Sequence, residues 1–234
     1  MKVALPADPA LLYADKLERW YVESRFYWSI QDSTVESMVN GPENISNSDL
    51  KFSFLVLSLL KSEGKINGGR IADCGGGIGR VSFQVLTHFF ERIDIIDPIP
   101  HFLFKAREII EKEAIIETEQ FGIEEWNPSN VYDAFWVQWV LCHLTDGDIV
   151  SFLKRCKDSS TQNCLMFLKE NVSGFTIDDD ITNYEYYQEK KSICRTFSHF
   201  HSLILQSGWI LEEYRFQPDL PDNSIPVILF ILKK

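Results

Sequence analysis

From about residue 70 onward, short apolar runs alternate with segments whose apolar residues fall at helical spacing. Residues 70–74, 92–96, 115–120, 132–138, 164–169, 209–215 and 227–232 read as strands, because they are short, rich in β-branched and aromatic residues, and bounded by turn formers. Between them, residues 78–90, 100–113, 146–157 and 192–206 repeat apolar residues with the period of a helix. Strands alternating with helices predict an α/β fold, a mostly parallel seven-stranded sheet with helices on both faces. Upstream, Leu12, Tyr13, Leu17, Trp20, Tyr21, Phe26, Tyr27 and Trp28 predict one or two helices within residues 9–40. Asn40-Gly41-Pro42-Glu43-Asn44 predicts a turn or loop, and residues 52–60 a helix stopping near Gly64. The chain therefore divides into a helical extension with a loop, residues 1–64, and a main domain, residues 65–234.

Composition narrows the class. A hydrophobic content of 45% with 17 Phe and 6 Trp supports a large buried core. The longest strongly apolar stretch, Val227 to Leu232, is far shorter than a bilayer span, and Pro6 and Asp8 interrupt what could be a leader segment. Neither membrane insertion nor secretion is expected, and the reading is an intracellular protein. The five cysteines form no CxxC pair and fit reduced, buried thiols. A net charge of −11 argues against nucleic acid as a partner, since phosphate contacts need clustered Lys and Arg. His88, His101, His199 and His201 show no metal-ligand spacing, so no metal is expected.

The most informative segment is Ile71-Ala72-Asp73-Cys74-Gly75-Gly76-Gly77-Ile78-Gly79-Arg80, a strand, a glycine loop and the start of a helix. Glycines let backbone approach a ligand closely. A dinucleotide fingerprint wants Gly or Ala where Arg80 stands. Asp97, 22 residues after Gly75, ends the second strand, where a carboxylate can accept both hydroxyls of a ribose. The loop thus suits an adenosine without a pyrophosphate. S-adenosyl-L-methionine meets that description, with Arg80 near its carboxylate. Asp73, Asp97, Gln138 and Lys169 all fall at predicted strand ends, the edge at which parallel sheets bind ligands.

Three strings carry a resemblance: Asp73-Cys-Gly-Gly-Gly-Ile-Gly-Arg80, Gln138-Trp-Val-Leu-Cys-His143-Leu-Thr-Asp146, and Lys169-Glu170-Asn171. Together they resemble the S-adenosylmethionine-dependent protein N-terminal methyltransferases, from roughly Tyr27 to the C-terminus. The resemblance implies a Rossmann-like class I methyltransferase fold and methylation of the α-amine of proteins beginning Xaa-Pro-Lys or Xaa-Pro-Arg. It places Gly75 and Arg80 on the methionine part of the cofactor, Asp97 on its ribose, Ile123 and Glu124 along the adenine, and Gln138 at the end of strand 4. Tyr27, Trp28 and Trp139 would line the peptide channel, Asn171 would bind the first substrate residues, and His143 would be the general base. A histidine suits that role, because an α-amine titrating near 7.7–8.0 must lose a proton before attack.

The chain also departs from the family pattern. Ile123-Glu124 stands for the usual Leu-Gln, and Ile225 for a channel Tyr. Lys190 occupies the place of the acid that assists deprotonation, after an apparent insertion spanning residues 181–189. Asp178, Asp179, Asp180 and Glu189 are the candidates to replace it, with Asp180 preferred. Two rival readings remain: a small-molecule methyltransferase on the same fold, and a cofactor-binding, weakly catalytic paralogue with a regulatory role. The expected partners are N-terminal segments of protein substrates, with neither nucleic acid nor membrane. The expected state is a monomer in the cytoplasm and the nucleus.

Overall fold

In a computed structural model of the chain, residues 17–110, 116–175, 184–222 and 224–234 are described. The elements run α1 (Leu17–Ser29), α2 (Val35–Val39), α3 (Glu43–Ser62), β1 (Arg70–Cys74), α4 (Arg80–Gln84), β2 (Arg92–Ile96) and α5 (Pro100–Ile110). They continue with β3 (Ile116–Glu119), β4 (Tyr132–Gln138), α6 (Asp146–Asp158) and β5 (Ser160–Asn171). The chain closes through β6 (Glu185–Tyr187), β7 (Ser192–Cys194), α7 (Phe197–Ser207), β8 (Ile210–Phe216) and β9 (Val227–Lys233).

Seven strands form one sheet in the order β3-β2-β1-β4-β5-β9-β8. β1 to β5 pair in parallel, and β9 runs antiparallel to both β5 and β8. Alternation along the strands sends successive side chains into two cores. Phe135 and Val137 of β4 meet Phe152 and Leu153 of α6 and Phe200 and Leu203 of α7. Ala134 and Trp136 meet Val56, Leu57 and Leu60 of α3 and Leu103 of α5. Both faces being covered explains why these strands read as nearly continuous apolar runs. No helix among the described residues is long and apolar enough to cross a membrane.

Four elements differ from their sequence expectation. The helix expected over residues 78–90 stops at Gln84. Val85 (φ −130°, ψ −60°) breaks it, and a single 3₁₀ turn, Leu86–His88, comes next. Val85, Leu86, Phe89 and Phe90 are all buried by this path, and over so short a stretch the apolar pattern does not separate the two helix types. The helix expected over 192–206 begins only at Phe197, where the Thr196 side chain accepts from the His199 N–H at 3.2 Å. Ser192–Cys194 is instead strand β7, paired antiparallel with β6 in a separate two-stranded ribbon. Ile193 and Tyr184 of this region pack on Trp20 of α1. The helix expected over 52–60 starts earlier, at Glu43 just after Pro42, whose φ of −68° already suits a helix start. The expected loop shrinks accordingly. Strand β5 extends beyond the expected 164–169 in both directions.

Candidate active site: two chambers with a common wall

The glycine loop leaves β1 through Gly75, at φ 74°. A Cβ there would lie 2.7 Å from the Cβ of Val140, so only glycine lets the loop pass against β4's exit. The N–H groups of Gly75 and Gly76 donate to the Ile96 carbonyl at 2.7 and 3.2 Å, which joins the ends of β1 and β2. Asp97 comes directly after β2 and accepts from the N–H of Gly77 at 3.0 Å and of Ile99 at 2.8 Å. Burial, with a further contribution from the charge of Asp73, raises its carboxyl to about 7. The loop and Asp97 line a cavity at the strand ends.

Gly75, Arg80, Asp97, Ile123, Glu124 and Gln138, the residues expected to bind the cofactor, all line this cavity, as do Trp28, Trp139 and His143. Arg80 is anchored from behind: Nη1 lies 2.7 Å from Asp49 Oδ2 and donates to Ser46 Oγ at 3.2 Å. Its guanidinium stands 5.7 Å from the Trp139 ring centroid. Gln138 spends its side chain inside the protein, with Nε2 donating to Asp49 at 2.8 Å and Oε1 accepting from the Trp136 indole at 2.9 Å. Glu124 is ion-paired with Arg25, which brings α1 over the cavity.

A second, more open chamber lies beside the first and is lined by Asn171, Tyr187, Lys190 and Ile225 among others. Trp28, Met38, Trp139 and His143 line both, so they form the common wall. Tyr27 lines neither chamber and meets Trp28 edge-on, with centroids 5.4 Å apart. Asp178, Asp179 and Asp180 lie outside the described residues. Glu189 is exposed and is not part of the lining, whereas Lys190 is.

His143 ends a one-turn 3₁₀ segment, Leu141–His143, directly after β4. Its Nδ1 is 3.3 Å from the Lys191 carbonyl, and its Nε2 is 3.0 Å from the Trp28 indole nitrogen. A carbonyl only accepts and an indole N–H only donates, so these partners assign the proton to Nδ1 and the lone pair to Nε2. Burial lowers its pKa to about 4, so His143 is neutral at pH 7.

The turn is clamped by groups that sequence reasoning gave no role. Glu170 Oε1 accepts from the N–H groups of Val140 at 2.9 Å and Leu141 at 2.8 Å. Arg195 donates to the carbonyls of Leu141 at 3.0 Å and Leu144 at 2.7 Å and pairs with Asp146. Trp20 donates to the His143 carbonyl at 2.7 Å. Asp49 was also missed, although Ser46, Asp49 and Ser53 form a polar stripe at helical spacing on the buried face of α3.

Two features mark the wall as a place where a ligand belongs. Trp139 Nε1 is buried and has no hydrogen-bond partner among the described residues. Trp139 also has a left-handed backbone, φ 54°, as do Asn40, Lys191 and Asp219, the other non-glycine residues of this kind among those described. Asn40 and Trp139 line the second chamber, and Lys191 and Asp219 adjoin the lining residues Lys190 and Leu220. Backbone strain of this kind concentrates at functional sites.

A mostly parallel sheet with a glycine loop after β1, an acid after β2 and a cavity at the strand ends defines a Rossmann-like, S-adenosylmethionine-dependent class I methyltransferase. Residues 16–233 match the family described as AdoMet dependent proline di-methyltransferase. The chain is 34% identical to N-terminal Xaa-Pro-Lys N-methyltransferase 1 of Xenopus tropicalis, over 92% of its own length and 96% of that protein's. For the protein of the same name from Danio rerio the figures are 32%, 92% and 95%. The structure of a SAM-dependent methyltransferase from Leishmania major superposes with a TM-score of 0.82 at 28% identity, covering 92% of this chain and 83% of that one. The chain belongs to the AdoMet-dependent proline di-methyltransferase family.

Proposed function

We propose that the protein methylates the α-amine of proteins beginning Xaa-Pro-Lys or Xaa-Pro-Arg, with His143 Nε2 receiving the amine's proton. One observation carries the reading: the cofactor cavity and the open chamber share a wall containing His143. S-adenosylmethionine supplies an electrophilic methyl group on a sulfonium. Arg80 and Asp97 are the groups suited to its carboxylate and ribose, and the glycine loop leaves room for it. The peptide N-terminus enters the second chamber, where Asn171 and the free indole N–H of Trp139 can bond its backbone.

Amine burial in this aromatic chamber lowers its pKa and eases proton loss. A neutral His143 with its lone pair on Nε2 is in the right form to accept. Holding amine and methyl in line then supplies much of the rate without a covalent intermediate. Incubation with labelled cofactor and peptides beginning Ser-Pro-Lys, Ala-Pro-Lys and Ser-Ala-Lys tests the proposal by mass spectrometry. Methylation of the first two only is expected, and methylation of none would sink it. That failure, accompanied by tight cofactor binding, would favour the weakly catalytic paralogue, a reading that Lys190 in the chamber lining supports.

A further inference from the structure

Behind Arg80 lies a buried charge cluster that the methyl-transfer chemistry does not use. Asp49 of α3, fully buried, contacts Arg80 at 2.7 Å on one side and forms an ion pair with Lys169 of β5 on the other. Lys169 is also fully buried; Nζ donates to Ser53 Oγ at 2.9 Å and stands 4.8 Å from the Phe52 ring centroid. Two cations and one anion leave the cluster with a net charge of plus one, and its front member, Arg80, lines the cofactor cavity. Nε and Nη2 of Arg80 form no hydrogen bond with the described residues, whereas Nη1 is committed to Ser46 and the Asp49 pair.

An Arg–Asp pair alone would be electrically neutral and would offer little attraction to a second carboxylate. Lys169 changes that balance. By offsetting Asp49 from behind, it lets Asp49 fix the position of Arg80 without cancelling its charge. We propose that Lys169 is a specificity-determining residue that acts through Asp49 and Arg80 to make the cavity select ligands carrying the amino-acid carboxylate of S-adenosylmethionine. The inference rests on the reading of this cavity as the cofactor site. It predicts that the adenosine end of the ligand is indifferent to the cluster, whereas the carboxylate end responds to its net charge. Asp73, Asp97 and Glu124, the other acids lining the cavity, are left unsubstituted throughout, and both ligands meet them alike.

The test is a charge series read by calorimetry with two ligands, S-adenosylhomocysteine and 5′-methylthioadenosine, which lacks the amino-acid end. Lys169→Met brings the cluster to zero, Asp49→Asn to plus two, and the double variant back to plus one. The preference for S-adenosylhomocysteine over 5′-methylthioadenosine should fall about tenfold in Lys169→Met. It should hold or rise in Asp49→Asn and return to within about threefold of wild type in the double variant. Removing the buried pair together also keeps the test readable if a single variant fails to fold. A preference unchanged in the double and single variants, or lowered in Asp49→Asn, would overturn the proposal. Parallel weakening of both ligands would overturn it too, since that is what loss of packing alone produces. A wild-type protein that bound neither ligand would remove the cofactor reading itself, and the proposal with it.

Discussion

The indole N–H of Trp28 donates to Nε2 of His143 across 3.0 Å, with the two rings nearly perpendicular at 89°. On the proposed reading of His143 as the base, the lone pair that would receive the substrate's proton is engaged by a residue from α1, and the amine would have to displace it. Removing the donor while keeping an aromatic ring should free that lone pair. In Trp28→Phe the pKa of His143 is expected to rise by roughly half to one unit, because the donated bond favours the neutral ring. Imidazole chemical shifts tracked against pH check this; an unmoved titration would show that the bond has no hold on the ring.

His143→Ala is expected to lower turnover at pH 7 by about a hundredfold, as for loss of a general base. The affinity for S-adenosylhomocysteine should change by less than about threefold. Steady-state rates paired with calorimetry separate the two quantities. A turnover equal to wild type would make the histidine structural.

Cofactor affinity should depend on pH through Asp97. Its carboxyl is raised to about 7 by burial and by Asp73, and ribose hydroxyls donate best to the ionised form. Affinity for S-adenosylhomocysteine should therefore increase as pH rises from 6 to 8, by roughly threefold to tenfold, with proton release on binding. Calorimetry in buffers of different ionisation enthalpy measures the protons. In Asp97→Asn the slope should vanish and affinity drop by roughly tenfold or more; a persisting slope would assign it to another group.

Glu170 predicts a pH dependence of stability. Burial raises its carboxyl to about 8, above the unfolded value of about 4.3, so the folded state holds this proton more tightly. The stabilisation is full below about pH 4 and lost as pH rises through about 8. Glu170→Gln keeps an oxygen for the Val140 and Leu141 amides but cannot ionise. Between pH 5 and pH 9 the melting temperature of wild type should fall about 5 °C further than that of the variant. Parallel melting curves would show that Glu170 does not titrate in this range.

The sheet and the position of a cavity at its strand ends are legible in the sequence because they rest on local signals. Apolar runs set the strands, and glycines with Asp97 at a fixed distance set the loop. Strand ends gathered Asp97, Gln138 and Lys169 at one edge. What the sequence hid depends on distant segments meeting. Ser192–Cys194 shares the helical spacing of residues 197–206, and became a strand only because residues 185–187 were there to pair with it. Asp49 lies 120 positions before Lys169, and nothing local marks them as partners. Glu170 lies within the string Lys169-Glu170-Asn171, yet its hold on the turn of His143 emerges only when β5 is laid beside β4.

Trp139 is held with φ 54°, a conformation that costs a large side chain roughly 1–2 kcal/mol. Stability and chemistry thus pull this position in opposite directions. A glycine there would relax the backbone while erasing the wall between the chambers and the ring beside Arg80. On the proposed reading, the most stable protein and a working one call for different residues at position 139.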